Sequence, residues 1–102
     1  MTLALDITEA EAALVRDILH RFLPDGVRAF AFGSRAHGGA RRYSDLDLAL
    51  QWDRPLGLDE MARLAEAFSE SDLPFKVDIV DMATVDPGFR ARIMAAAVGF
   101  AF

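Results

Sequence analysis

The spacing of apolar residues changes several times along the chain, and each change marks an element. Leu14, Val15, Ile18, Leu19 and Phe22 recur at helical spacing. Ahead of them Thr8-Glu9-Ala10-Glu11 has the capping-box form, with Thr8 as N-cap and Glu11 three residues on. Met1–Ile7 is a short lead-in, and Pro24-Asp25-Gly26 ends the helix. Val27–Phe32 is a short apolar run between turn signals and predicts a buried strand. Gly33-Ser34 follows, then a brief helical turn stopped by Gly38-Gly39 and a loop over Ala40–Ser44. Asp45–Trp52 alternates: Asp45, Asp47, Ala49 and Gln51 face one way, Leu46, Leu48, Leu50 and Trp52 the other. The acidic face cannot be core without compensation, so it should line a cleft. After a turn over Asp53–Gly57, Met61, Leu64, Ala65 and Phe68 predict a second amphipathic helix. Leu73-Pro74 ends the connection. Phe75–Val80 predicts a third strand, with Phe75, Val77 and Ile79 on one face and Lys76, Asp78 and Val80 on the other. Asp86-Pro87 opens a last helix as N-cap and first residue. Phe89, Ile93 and Ala97 share its inner face, Gly99 is its expected stop, and the tail Phe100-Ala101-Phe102 tucks into the core. The pattern describes an α+β fold: a small mixed sheet of three or four strands with flanking helices.

Composition narrows the class. A chain of 102 residues, 53% hydrophobic and 26% charged, makes one globular domain over 1–102. The absence of cysteine excludes disulfides, zinc fingers and thiol catalysis. No apolar run approaches the ~18 residues of a membrane span, and no signal peptide is evident, so the expected location is cytoplasmic. The net charge of −5 is opposite to that of a general nucleic-acid binder. Arg28, Arg35, Arg41, Arg42 and Arg54 nevertheless gather around the stretch between the first two strands. They read either as a solvated loop or as counter-charge for a polyphosphate. His20, near a helix end, reads as a surface or helix-dipole residue, and His37 as a plain loop residue.

The candidate chemistry lies in Gly33–Asp47, GSRAHGGARRYSDLD. Gly33-Ser34 stands where a strand turns into a short helix, whose unpaired N–H groups and the Ser34 hydroxyl suit a phosphate. Asp45 and Asp47, two apart on a strand, share one face at roughly 7 Å along the backbone. Carboxylates that close repel unless a proton or cation lies between them, and Mg²⁺ shares oxygen ligands with phosphates. If the third strand pairs beside this one, Asp78 reaches the same cleft. Asp81 is the competitor for that role, on the opposite side of the strand and past its expected end. Three carboxylates beside a triphosphate suit in-line nucleotidyl transfer at the α-phosphorus. Gly33 and Gly38 have P-loop spacing, but Gly39-Ala40 replaces the required Lys-Ser/Thr.

The spacing Gly-Ser-x10-Asp-x-Asp, followed by a strand with a single Asp, resembles the signature of the polymerase-beta-like nucleotidyltransferase superfamily. The wording GSRAHGGARRYSDLDLAL is similar to its minimal nucleotidyltransferase branch. The resemblance runs from the first helix through the third strand. It implies that Gly33 and Ser34, with Arg35 beside them, bind the nucleotide. It implies that Asp45 and Asp47 bind metal, and that Asp78 binds metal or orients the nucleophile. It also implies an enzyme that uses Mg²⁺ to move AMP from ATP to a tyrosine of a HEPN-type toxin, acting as that toxin's antitoxin. Two other readings stay open: a non-catalytic module that masks a HEPN partner, or transfer to RNA or a small molecule.

Overall fold

Helix α1, Glu9–Phe22, begins on a reciprocal pair of hydrogen bonds. The Glu11 N–H donates to Thr8 Oγ1 (3.0 Å) and the Thr8 N–H to Glu11 Oε1 (2.9 Å), the expected capping box. The computed structural model of the chain describes residues 5–37 and 44–102. The expected stop at Gly38-Gly39 and the arginines Arg41 and Arg42 lie outside the described residues, as does the side chain of His37. The elements that follow are β1 (Arg28–Phe32), α2 (Ser34–His37), β2 (Leu46–Gln51), α3 (Leu58–Ser69), β3 (Val77–Asp81), α4 (Pro87–Ala96) and β4 (Val98–Phe100).

They build one mixed sheet in the order β3-β2-β1-β4. β1 runs antiparallel to β2 and β4, and β2 runs parallel to β3. A parallel pair needs a long crossover, and α3 supplies it. The alternation of β2 decides the core. Leu46, Leu48 and Leu50 are wholly buried against Val15 and Leu19 of α1 and Leu64 of α3. On the opposite face Ala49, Phe30, Phe32 and Val80 pack against Phe89, Ile93 and Ala97 at α4. That second face is closed by α4 toward one end of the strands and bears Asp47 and Asp78 toward the other.

Three expectations change. In α1 the buried stripe is Ala12, Val15, Ile18 and Leu19, while Leu14 and Phe22 stand at the exposed rim, because the helix is turned to seat its small residue on the sheet. The third strand begins at Val77 instead of Phe75 and includes Asp81. Gly99 does not stop α4: the helix ends at Ala96, and Val98–Phe100 adds an antiparallel strand, Phe100 opposite Ala29 and Val98 opposite Ala31. Pairing with β1 satisfies the tail's backbone and buries Phe100. Asp86 caps α4 as expected, accepting from the Phe89 N–H. His20 is exposed and meets the Phe102 ring edge-on at 5.4 Å. Among the described residues no helix is long and apolar enough to cross a membrane.

Candidate active site

β1 delivers the chain to the site, and the register fixes what it meets there. Phe32 lies opposite Asp47, and Asp47 lies beside Asp78. The next residue after β1, Gly33, adopts φ +78°, a conformation that favours glycine. A Cβ built on Gly33 would run into the Asp47 carboxylate oxygen Oδ2. Glycine is therefore needed twice: for the turn into α2 and for the close approach of backbone to carboxylate. Ser34 opens α2 and is exposed.

Asp45, one residue ahead of β2, is half-buried, as are Asp47 and Asp78. The Asp47 carboxyl is pushed above its usual range, chiefly by burial, then by the Asp78 and Asp45 charges. Asp45 just ahead of β2, Asp47 on β2 and Asp78 on β3 thus form a single electrostatic group. Among the described residues none of the side-chain ion pairs involves Asp45 or Asp47. Lys76, on the same face as Asp78, reaches its Oδ1 at 3.4 Å. Among the described residues no group of three or more His, Asp or Glu side chains is closed tightly enough to hold a metal ion alone. The donors that do gather here are carboxylate oxygens, the type Mg²⁺ takes alongside water and substrate phosphates. The repulsion at Asp47 is what such a cation would relieve.

Arg35 departs from the expectation of a nucleotide-binding side chain. It is buried, its Nε donating to the Ser44 carbonyl and its Nη1 to the Asp6 carbonyl, each at 2.8 Å. Its guanidinium also lies 4.1 Å from the Phe75 ring centre, and its own carbonyl accepts from the Asp6 N–H. The side chain ties the lead-in, the residue before Asp45 and the approach to β3 into one corner. Arg35→Ala should lower stability by about 3 kcal/mol, from two charged hydrogen bonds and a ring contact. Arg35→Lys should recover little, since one ammonium cannot span both carbonyls and the ring. Urea unfolding of the two variants checks this. Arg28 and Arg54 do not join the site either. Arg28 is opposite Gln51, at the far end of β2 from Asp47, and Arg54 pairs with Asp53 and covers Trp52.

Asp81 is the last residue of β3 and is buried, accepting from the Leu56 N–H (2.8 Å) and the Ala83 N–H (2.9 Å). It pins the β2–α3 connection and faces away from Asp78. Asp81→Ala leaves a buried N–H without an acceptor and should cost about 2–3 kcal/mol, seen as an earlier urea midpoint. The sequence reading did not single out Phe32 and Phe89, which meet edge-to-face at 6.2 Å beside Asp47. Their apolar spacing was visible; their position on the border of the carboxylate group was not.

Residues 15–98 match the family model described as polymerase beta, nucleotidyltransferase. The chain is 51% identical over 89 residues to the probable protein adenylyltransferase MntA of Haemophilus influenzae, covering 87% of this chain and 77% of that one. Among solved structures it superposes on a toxin–antitoxin with AMP-PNP at TM-score 0.76 (22% identity, 88% of this chain, 72% of that chain). It also superposes on the tri-AMPylated Shewanella oneidensis HEPN toxin in complex with MNT antitoxin at 0.70 (20% identity, 93% and 72%). At these identities the two solved structures establish a shared fold.

Proposed function

Because the chain belongs to the polymerase beta nucleotidyltransferase family, we propose that it is a protein adenylyltransferase, moving AMP from ATP to a tyrosine hydroxyl of a HEPN-type toxin and thereby acting as its antitoxin. The observation that carries the reading is the single acidic group at the Gly33 turn, where the Asp47 carboxylate touches the turn and burial, then the Asp78 and Asp45 charges, raise its proton affinity. A module that only masks its partner has no use for carboxylates held against one another at a cost in stability. The similarity to MntA supports the protein acceptor.

In this reading Asp45 and Asp47 hold Mg²⁺, and Asp78 joins them or faces the acceptor. Bound there, Mg²⁺ would supply compensating charge for the carboxylates and the triphosphate. The Ser34 hydroxyl and the amides after Gly33 bind phosphate oxygens. The acceptor oxygen bonds to the α-phosphorus as the bond from that phosphorus to pyrophosphate breaks. Asp78 takes the hydroxyl proton. Phe32 and Phe89 keep water from one side of the group. Arg35 holds Ser44, and so the start of β2, in register, a positioning role in place of phosphate contact.

Intact-mass spectrometry of the HEPN-type partner, incubated with this protein, ATP and Mg²⁺, tests the reading. One or more added AMP units, absent with Asp45→Asn/Asp47→Asn, are expected. A stable complex without any mass increase would replace transfer by masking.

A further inference from the structure

We propose that the acceptor binds along the outer edge of β3, adding an extended segment as a strand beside Val77 and Ile79 and thereby delivering its hydroxyl side chain to Asp78. This rests on the transfer reading above and says where the second substrate lies.

β3 is an end strand of the sheet. The Leu46 N–H donates to the Lys76 carbonyl and the Met82 N–H to the Leu50 carbonyl. In a parallel ladder of this register, Lys76, Asp78, Val80 and Met82 therefore turn their backbone groups toward β2, while Val77 and Ile79 present theirs outward. No strand among the described residues pairs with that edge. Beside it, between β3 and the end of α3, lies a cavity of about 540 Å³ lined by Phe68, Leu73, Phe75, Val77 and Ile79, with Asp78 also on its lining. The groove and the carboxylate group thus flank the same strand edge, on its two faces.

Strand geometry defines the occupant. Side chains of an added strand alternate between faces. The one in register with Asp78 falls on the Asp47–Asp78 face. Its two neighbours fall on the Val77–Ile79 face, over the apolar groove. A hydroxyl residue flanked by apolar residues satisfies both. It arrives on the side of Asp78 away from Asp47, where Asp78 can accept its proton. Lys76, 74% exposed on the same face two residues earlier, already pairs with Asp78 Oδ1 at 3.4 Å, and an acidic residue two places from the hydroxyl would share that ammonium. An outward row of amide groups over an apolar groove recognises a peptide, as in other strand-addition complexes.

Two variants test this with the HEPN-type toxin as acceptor. Ala65→Trp, at an exposed position of α3 on the groove, fills the cavity without touching the carboxylates. Ile79→Pro removes one outward N–H and leaves the ladder to β2 intact. Each should raise the KM for the toxin about tenfold, the loss expected from one or two hydrogen bonds or a displaced apolar contact. The rise in Tm on adding ATP and Mg²⁺ should stay at the wild-type value. In the wild-type protein, toxin should slow hydrogen exchange at the Val77 and Ile79 amides. An unchanged KM in both variants, or a bound toxin that leaves both amides unprotected, overturns the groove while the transfer reading stands. A wild-type protein that adds no AMP to the toxin overturns the transfer reading, and protection of these amides then decides the groove by itself.

Discussion

Asp47→Asn is expected to remove nucleotidyl transfer, lowering kcat roughly 10³-fold or more, while making the protein harder to unfold at neutral pH. The activity loss follows from its place at the centre of the acidic group, between Asp45 and Asp78 and against the Gly33 backbone. The stability gain follows from linkage. The Asp47 pKa lies above its ordinary value of 3.8 in the folded protein. The folded state therefore holds that proton more tightly than the unfolded chain does. The resulting stabilisation is fully present below pH 3.8 and is lost as pH rises through the folded-state value. At neutral pH the ionised side chain sits among like charges, and the neutral amide removes that repulsion. The variant's Tm should exceed that of the wild type at pH 7, and the two should converge below the ordinary carboxylate pKa. Mg²⁺ with ATP should raise the wild-type Tm and leave the variant's nearly unchanged, since only the wild type gains a bound state to populate. Calorimetry across pH, with and without Mg²⁺ and ATP, measures all three. A variant less stable than wild type at neutral pH would mean that burial and repulsion at Asp47 are compensated.

Gly33→Ala should be nearly as damaging to activity and, in contrast, destabilising. An alanine at φ +78° carries about 1–2 kcal/mol of backbone strain. Its methyl group would also occupy the space of Asp47 Oδ2. Either the β1–α2 turn moves or the carboxylate does, and a displacement near 1 Å in such a site costs about 10²-fold in rate. Gly26→Ala is the control. Gly26 has φ +90°, but a Cβ there meets only the Trp52 ring, Nε1 at 3.5 Å and Cδ1 at 3.8 Å, ordinary contacts. It should lose comparable stability and keep its transfer rate. If both variants lose activity equally, strain in the fold is the cause, and the Gly33–Asp47 approach has no special role.

The capping box of α1, the Leu46-Leu48-Leu50 alternation and the Asp86-Pro87 start of α4 are complete within a few residues, and each formed as read. The Gly-Ser-x10-Asp-x-Asp spacing belongs to the same kind: a strand end, a turn and a strand start, with both aspartates forced to one face by a period of two. Parity placed Asp78 and Asp81 on opposite faces for the same reason.

The partners of Arg35 and Asp81 were not legible because they are remote. Arg35 bonds to Asp6, 29 residues away, and Asp81 to Leu56, 25 residues away. A lone arginine near a phosphate-binding turn looks the same in sequence whether it reaches out to a nucleotide or inward to a carbonyl. The strand β4 was hidden likewise: three residues carry almost no period, and only an open edge on β1 made a strand of them.

By itself the sequence determined every element except β4, the inward faces of the first three strands and the residue types of a candidate acidic site, because these depend on periods of two and 3.6 and on nearest neighbours. Tertiary structure alone decided that β3 lies parallel to β2 at the sheet's edge, bringing Asp78 beside Asp47, and that Arg35 is a clamp. Those outcomes depend on which distant backbone groups are left to satisfy once the chain closes on its core.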